Sequence, residues 1–402
     1  MMAGMLLARA GVDVCVLEKH ADFLRDFRGD TIHPSTLEVM SELGLLEAFL
    51  REPHQEVTHL AGNLGDTLVT IADFTHLPTR CKFLAFMPQW DFLNFIAGAA
   101  KRFPSFDLRT EARVEELLWD GGRVAGVRAR TPAGTLEVRA DLTIAADGRD
   151  SLVRAQAGLE PVELGAPMDV LWLRLTRRAG DPGATFGYIR GGRIMALIDR
   201  GAYWQCAYVI PKGSFEETQA RGIAEFHRQI AAIAPFLADR VAELRDWNDV
   251  KLLTVRVNRL ARWYRPGLLC IGDCAHAMSP IGGVGINLAI QDAVATANLL
   301  AGKLLRSAVT MADLHAVQRR REMPARLTQA LQLFVQSRVI GRVLDDGRAP
   351  FLNKLPLVLR CLPFLPRIPG RLVGLGFRPE HVAAVAREEG TPLRQSRNAG
   401  ET

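Results

Sequence analysis

The feature that most constrains the fold is the stretch LLCIGDCAHAMSPIGGVGIN, residues 268–287, where an apolar strand enters a glycine-rich loop and then a helix. The strand ends at a Gly-Asp pair, so it presents the carboxylate of Asp273 at its carboxyl end, where open α/β sheets bind ligands. Four residues shape the loop: Pro280, Gly282, Gly283 and Gly285. Glycines at a helix start leave backbone N–H groups free to cradle an anion or an electron-rich oxygen. The alternative is a turn before an ordinary amphipathic helix, and three glycines beside an acid make it the weaker one.

A second strand-to-loop junction occurs in DLTIAADGRDSLVR, residues 141–154. An apolar strand again ends where Asp147 and Gly148 turn the chain, and Ser151 is placed to cap the segment that follows. Asp-Gly alone marks a common turn. After an apolar strand, it also predicts a ligand-binding crevice.

The first twenty residues, MMAGMLLARAGVDVCVLEKH, predict the end of a helix at residues 3–10 and a stop at Gly11. A buried parallel strand is expected at residues 12–17, ending in Glu18. A helix leading into such a strand normally follows an earlier strand. We therefore expect that the first residues form the helix and the second strand of a βαβ unit whose first strand would precede Met1.

The rest of the chain alternates helical and strand patterns, which predicts an α/β protein. A helix is expected from about Leu37, with Ser35 and Glu38 as its capping box, and another over residues 89–102. Residues 106–146 predict three strands of a β-meander, separated by Asp-Gly and Pro-containing turns.

A mixed α/β insert is expected over residues 169–252, with strands VLWLRLT, RIMALID and YWQCAYVIP. A second capping box, Ser214 with Glu217, predicts a helix that runs toward Ile233.

The basic composition does not by itself indicate a nucleic-acid partner. The formal charge is +6, but only seven of the fifty basic residues are Lys and the Arg residues are spread along the chain. Six cysteines form no CxxC pair, which favours reduced thiols in a cytoplasmic protein over disulfides or a zinc site. Basic residues and prolines interrupt the apolar segment at residues 349–377, so we expect packed helices with at most peripheral membrane contact.

Taken together, these stretches make the chain resemble the FAD-dependent aromatic hydroxylases, the single-component flavoprotein monooxygenases related to p-hydroxybenzoate hydroxylase. The resemblance implies a glutathione-reductase-like FAD-binding domain, a parallel sheet with a β-meander, plus a mixed α/β substrate domain and C-terminal helices. It divides the chain into an FAD-binding domain (1–165 and 250–310), a substrate domain (166–249), a C-terminal helical region (311–386) and a frayed tail (387–402).

The family's cofactor residues are carried over where this sequence matches. The resemblance implies that Glu18 binds the adenosine ribose, Arg28 touches the flavin nucleotide and Gln89 opens the helix after the loop. Asp147 and Gly148 would lie near the FAD pyrophosphate and the path of the nicotinamide cofactor. The remaining implied contacts are Asp273 with the ribityl chain, Pro280 beside the reactive flavin edge, and Gly282, Gly283, Gly285, Ile286 and Asn287 near the pyrimidine ring. Cys274 departs from the family's usual Ala and is interpreted as a tolerated small residue.

The implied reaction is hydroxylation of a small aromatic or polyketide-like substrate. NADPH or NADH would reduce FAD, and O2 would react through a flavin C4a-hydroperoxide. The resemblance assigns no catalytic side chain, since the flavin performs the chemistry, and His276 is interpreted as structural. Candidate substrate-lining aromatics lie in the insert: Trp172, Tyr188, Tyr203, Trp204 and Tyr208. A homodimer is left open.

Three alternatives remain beside the hydroxylase. A flavin-dependent halogenase would need a Trp-x-Trp-x-Ile-Pro motif, and the nearest positions here hold Cys206, Tyr208, Ile210 and Pro211. A reductase of isoprenoid or quinone type shares the scaffold. An inactive, truncated flavoprotein that binds without turnover is the third, because the family's Gly-x-Gly-x-x-Gly turn would precede Met1. We expect the chain as printed to bind FAD weakly.

Overall fold

The computed structural model describes residues 1–24, 31–65, 67–182, 186–346, 357–359 and 361–383. The strands are β1 (Val14–Leu17), β2 (Thr31–Ile32), β3 (Gln55–Val57), β4 (His59–Leu64), β5 (Thr67–Asp73), β6 (Leu84–Phe86), β7 (Phe106–Arg109), β8 (Arg113–Asp120), β9 (Arg123–Thr131), β10 (Gly134–Arg139), β11 (Thr143–Ala145), β12 (Pro161–Glu163), β13 (Met168–Thr176), β14 (Phe186–Arg190), β15 (Arg193–Asp199), β16 (Tyr203–Pro211), β17 (Lys251–Leu253), β18 (Asn258–Leu260), β19 (Tyr264–Arg265) and β20 (Leu268–Cys270). The α-helices are α1 (Met2–Arg9), α2 (Pro34–Glu42), α3 (Leu46–Phe49), α4 (Gln89–Ala100), α5 (Leu152–Gln156), α6 (Phe215–Ala220), α7 (Ile223–Ile233), α8 (Val284–Leu304), α9 (Met311–Val335), α10 (Gly341–Asp346) and α11 (Arg367–Gly374).

Two parallel strand pairs carry the predicted ligand loops. Strand β1 pairs with β7, and β11 pairs with β20, so the chain leaves β11 and β20 at the same edge. The meander is confirmed as β8, β9 and β10. However, the first and the third of the three expected strands are each divided into two shorter strands, β7 with β8 and β10 with β11. Their first and last parts, β7 and β11, belong to the parallel pairs instead.

The expected insert forms most of a seven-stranded sheet in the order β17-β13-β16-β15-β14-β4-β5. All three quoted strands are confirmed as β13, β15 and β16. Helix α7 packs its apolar face, Phe226 and Ile230, on one side of this sheet. The single helix expected up to Ile233 is wrong, because Gly222 takes φ +86° and separates α6 from α7.

Neither predicted capping box forms. The helix that contains Ser35 begins at Pro34, so Ser35 lies inside its first turn, while the Glu38 carboxylate accepts a hydrogen bond from the Arg80 backbone. Ser214 does precede α6, but its hydroxyl donates to the Pro211 carbonyl rather than capping. Proline at the first helical position fixes the backbone without any side-chain cap.

The first helix ends as the sequence predicts, since Gly11 takes φ +88° after α1. Strand β1 is shorter than expected and its four residues are only half-buried, although we expected full burial. The reason is that all four residues of β1 line a cavity described below.

Helix α8 runs through the core between α1 and α9, which both pack on it. The stretch Ile281–Leu304 has the length and apolar composition to cross a membrane, but 61% of its most apolar part is buried in the fold. Among the described residues after position 310, the helices include α9, α10 and α11. The predicted frayed tail at 387–402 lies outside the described residues.

The sheet pairings bear on the domain boundaries. Strands β4 and β5 lie far upstream of the expected substrate domain at 166–249, yet β4 pairs in parallel with β14. Strand β17, just after it, pairs with β13. Residues 59–64, 67–73 and 251–253 therefore belong to the same sheet as β13, β14, β15 and β16, and the division into domains stays a prediction.

Candidate active site

The Asp147-Gly148 loop and the Gly272-Asp273 loop meet across the β11–β20 pair, whereas the sequence predicts only that each follows the end of a strand. Asp147 follows β11, and its carboxylate accepts a hydrogen bond from the Val153 backbone at 3.3 Å. Asp273 lies in the turn after β20, with its carboxylate 3.6 Å from the guanidinium of Arg149. The pairing of β11 with β20 therefore brings both carboxylates to one edge of the sheet.

Arg154 ties these loops together. Its buried guanidinium donates to the Cys274 carbonyl at 3.0 Å and to the Arg149 carbonyl at 2.8 Å. The sequence places Arg154 after the first loop but does not predict this link, because the partner carbonyl lies 120 residues away.

The glycine-rich loop adopts the conformation that its glycines allow. Gly282 and Gly283 take φ +75° and +62°, which side chains rarely adopt. A Cβ at Gly283 would lie 1.9 Å from the Thr31 hydroxyl, so the two backbone segments approach too closely for any side chain at position 283. The loop delivers the chain into α8, whose first N–H groups lack intrahelical partners.

Asn287 holds this loop in place. Its amide oxygen accepts from the His33 backbone at 2.9 Å and from the Thr36 hydroxyl at 2.8 Å. Its amide nitrogen donates to the carbonyls of Thr31 at 2.9 Å and Gly283 at 3.2 Å. These four bonds use the side chain's full capacity. Its geometry thus supports a loop-positioning role for the side chain, with cofactor contact left to the neighbouring backbone.

His33 is a buried residue of the site that sequence reasoning missed. Its Nδ1 lies 2.7 Å from the Val373 carbonyl in α11, so the neutral ring donates its proton there. Burial lowers the pKa of His33 to about 4, although the carbonyls of Val373 and Gly282 favour the protonated ring. The signal available was His-Pro at a strand end, since the residue before proline is restricted to extended backbone.

A buried charge network of Asp292, His276 and Arg321 supports the loop that contains Gly272 and Asp273. Asp292 accepts from the Gly272 backbone at 3.0 Å, and lies 2.6 Å from His276 Nε2 and 3.0 Å from Arg321 Nε. Burial alone would raise the pKa of Asp292, but His276, Arg321 and the Gly272 N–H hold it below its usual value. His276 therefore contacts Asp292 as a supporting residue, which agrees with the structural interpretation.

The other implied cofactor residues lie along one cavity of about 2500 Å³. Glu18 follows β1, and its carboxylate accepts from the His20 backbone at 3.0 Å. Gln89 is the first residue of α4, as expected. Arg28 lies outside the described residues. The cavity is lined by Glu18, Gln89, Asp147, Gly148, Asp273, Pro280, Gly282, Gly283, Gly285, Ile286 and Asn287.

Of the five candidate substrate aromatics, Trp172 lines this cavity. Trp204 and Tyr208 point to the opposite face of the sheet, where they pack beside α7, and Tyr188 joins the same cluster. Tyr203 stacks under the guanidinium of Arg174. Side chains alternate between the two faces of a strand, so only alternate positions can reach the cavity.

Cys274 has the environment of an inert thiol. A hydrogen bond with Cys270, burial and nearby negative charge raise the pKa of Cys274 well above its usual value. The interpretation of Cys274 as a structural replacement for Ala fits this environment.

The residues present fit an FAD molecule. Glu18 and Asp273 offer carboxylate acceptors for ribose and ribityl hydroxyls. A Cβ at Gly285 would lie 3.9 Å from Asp273 Oδ1 with only ordinary contacts, so the backbone beside that carboxylate is open. The cavity also exceeds the roughly 300–1,000 Å³ typical of a site for one small ligand, and so has room for a cofactor and a substrate.

Comparisons with known proteins point the same way. Residues 1–330 match the family described as FAD binding domain. The 6-methylpretetramide 4-monooxygenase of Streptomyces rimosus is 35% identical over 348 residues, which cover 86% of this chain and 82% of that protein. Para-nitrophenol 4-monooxygenase of Pseudomonas sp. (strain WBC-3) is 24% identical over 339 residues, 80% of each protein.

Solved structures share the fold. OxyS anhydrotetracycline hydroxylase from Streptomyces rimosus superposes with a TM-score of 0.72 at 23% identity, covering 93% of this chain and 73% of that one. The probable FAD-dependent monooxygenase pqsL from Pseudomonas aeruginosa gives a TM-score of 0.70 at 20% identity, covering 88% and 95%.

Proposed function

The chain belongs to the FAD binding domain family, and from that premise we propose that it hydroxylates an aromatic or polyketide substrate as an FAD-dependent monooxygenase, with NADPH or NADH as reductant and O2 as oxygen source. The observation that carries the proposal is the shared cavity. It joins two strand-end carboxylates, Asp147 and Asp273, to the glycine loop before α8 and to an apolar sheet face. The 35% identical relative, named for monooxygenation of 6-methylpretetramide, supports a polyketide substrate.

The described residues have distinct parts in this proposal. Glu18 and Asp273 would accept hydrogen bonds from cofactor hydroxyls, while Asp147 and Gly148 would form the wall at the nicotinamide path. The N–H groups at the start of α8 would face the electron-rich edge of a bound flavin, and Asn287 keeps them in place through its four bonds. Pro280 and the sheet face exclude water around the substrate. FAD, when bound, supplies the redox chemistry that places one oxygen atom on the substrate.

The test measures NAD(P)H oxidation by FAD-loaded protein with a polycyclic phenol, together with transfer of isotope from labelled O2 into product. We expect substrate-dependent oxidation and one labelled oxygen atom per product. Asp273→Asn should weaken FAD binding by about tenfold to a hundredfold, because it loses a charge-assisted hydrogen bond. Asp120→Asn, at an exposed strand end, is the matched control and should bind FAD like the parent.

Turnover without oxygen would contradict the proposal and favour a reductase. FAD binding without NAD(P)H oxidation across phenols and polyketides would also contradict it.

A further inference from the structure

The two ends of the cavity differ sharply in charge. Among the described lining residues, the Asp, Glu, Lys and Arg side chains lie in the segments 13–20 and 107–150 and at Asp273 and Arg306, with one exception. The exception is Arg321, whose guanidinium is already held by Asp292 and Glu380. The charged end is the one that fits the dinucleotide.

The other end of the cavity is formed by the seven-stranded sheet, and its described lining residues are uncharged. On β15 the side chains alternate: Met195 and Leu197 are buried against α7, while Ile194, Ala196 and Ile198 are half-buried toward the cavity. The same apolar character continues on β13, where Met168, Val170 and Trp172 line the cavity, and on β16 with Ala207 and Val209.

Three small residues, in a row that ends at a Trp, make part of this surface flat. Trp172, Ala207, Ala196 and Gly187 lie directly opposite one another on β13, β16, β15 and β14. With strands about 4.8 Å apart, the three steps span about 14 Å. Trp172 closes one end of the row with an aromatic ring. We call these four residues the floor row.

We infer that the substrate is an uncharged, flat molecule of several fused rings that lies along the floor row, and that aromatic carboxylates are excluded. The inference rests on the proposed function, since it names the substrate class of the same site. A flat ring system lies along the floor row without meeting a branched side chain in the row itself, and Val170, Ile194, Ile198 and Val209 flank it. A carboxylate there would lose its water without gaining a cationic partner among the described lining residues of the sheet, which costs far more than burying a hydroxyl.

The first test compares a matched pair of ligands on the unaltered, FAD-loaded protein: a naphthol and the hydroxynaphthoate with the same ring system. Isothermal titration calorimetry should show the naphthol binding at least about a hundredfold more tightly. Equal affinities, or preference for the carboxylate, would overturn the inference while leaving a monooxygenase intact. Preferential naphthol binding without oxidation of any phenol would contradict the proposed function alone.

The second test fills the floor row. Ala196→Leu should weaken binding of hydroxyanthracene by about tenfold or more and change binding of phenol by less than about twofold, because only the longer molecule needs the whole row. Ala238→Leu, at an exposed position in the same half of the protein, is the control and should change neither. Unchanged hydroxyanthracene binding by a folded Ala196→Leu protein would show that the row is not the floor. If that variant does not fold, the ligand pair still decides the question.

Discussion

Replacing Gly283 by alanine should destabilise the folded protein, because the new side chain strains the backbone and clashes with Thr31. The φ of +62° costs an alanine about 1–2 kcal/mol. The new Cβ would also lie 1.9 Å from the Thr31 hydroxyl, which donates to the Gly283 carbonyl at 3.1 Å. Moving Thr31 gives up that hydrogen bond, worth about 1 kcal/mol. We therefore expect Gly283→Ala to lower the free energy of unfolding by about 2–4 kcal/mol.

Two further glycines serve as controls. Gly282 has a similar φ of +75°, but a Cβ there meets nothing closer than 3.5 Å, so Gly282→Ala should cost about 1–2 kcal/mol. Gly98 lies inside α4 with no atom within 4 Å, and Gly98→Ala should stabilise by about 0.5–1 kcal/mol. Urea denaturation followed by circular dichroism measures all three, and flavin titration then reports the effect on FAD binding.

Thr31→Ala isolates the contact. Combined with Gly283→Ala it removes the clashing hydroxyl, so the double variant should be more stable than the sum of the single losses predicts, by about 1 kcal/mol or more. If Gly283→Ala is no less stable than Gly282→Ala, or if the two substitutions are additive, the close approach of these two segments does not control stability and the reasoning fails.

Three more outcomes are expected. The pKa of His33 falls from 6.5 to about 4 on folding, so the unfolded chain binds the proton more readily and the parent loses stability as the pH falls. Between about pH 8 and pH 5, His33→Asn should therefore lose about 2 kcal/mol less stability than the parent in urea denaturation. Parallel plots of unfolding free energy against pH for the two proteins would contradict this. Asp292→Asn removes the charged partner of His276 and one of the two carboxylates that hold the buried Arg321, the other being Glu380, and should cost about 2–4 kcal/mol, with a loss below about 1 kcal/mol in the same assay counting against the network. Iodoacetamide should modify the exposed Cys361 before unfolding and the buried Cys274 only afterwards, as mapped by mass spectrometry; early labelling of Cys274 would refute the assigned burial.

The ligand loops could be predicted because their signals are local. A strand followed by Asp-Gly places Asp147 at a sheet edge, and a strand followed by Gly-Asp places Asp273 there, whatever the rest of the chain does. The positive φ values at Gly282 and Gly283 follow from residue type in the same way. The α/β class and the meander also follow from patterns within a few residues.

What escaped prediction depends on contacts between distant segments. Nothing near β4 indicates that its partner is β14, more than 120 residues onward. The capping box of Ser35 and Glu38 fits the local pattern, yet Pro34 starts the helix earlier and Glu38 finds Arg80 instead. His33 joins the site only because Val373 comes to it from the last described helix.

The parallel pairing of β4 with β14 also determines how long β4 remains without its partner strand during synthesis. The hairpin of β4 and β5 is complete once residue 73 leaves the ribosome, but β14 ends at residue 190, 117 residues later. At about 5–20 residues translated per second, the β4 edge of the hairpin stays unpaired for roughly 6 to 23 seconds. An open strand edge is a template for pairing with other chains. The nascent protein therefore passes through an interval in which it is prone to aggregate, and slower translation between these strands would lengthen that interval.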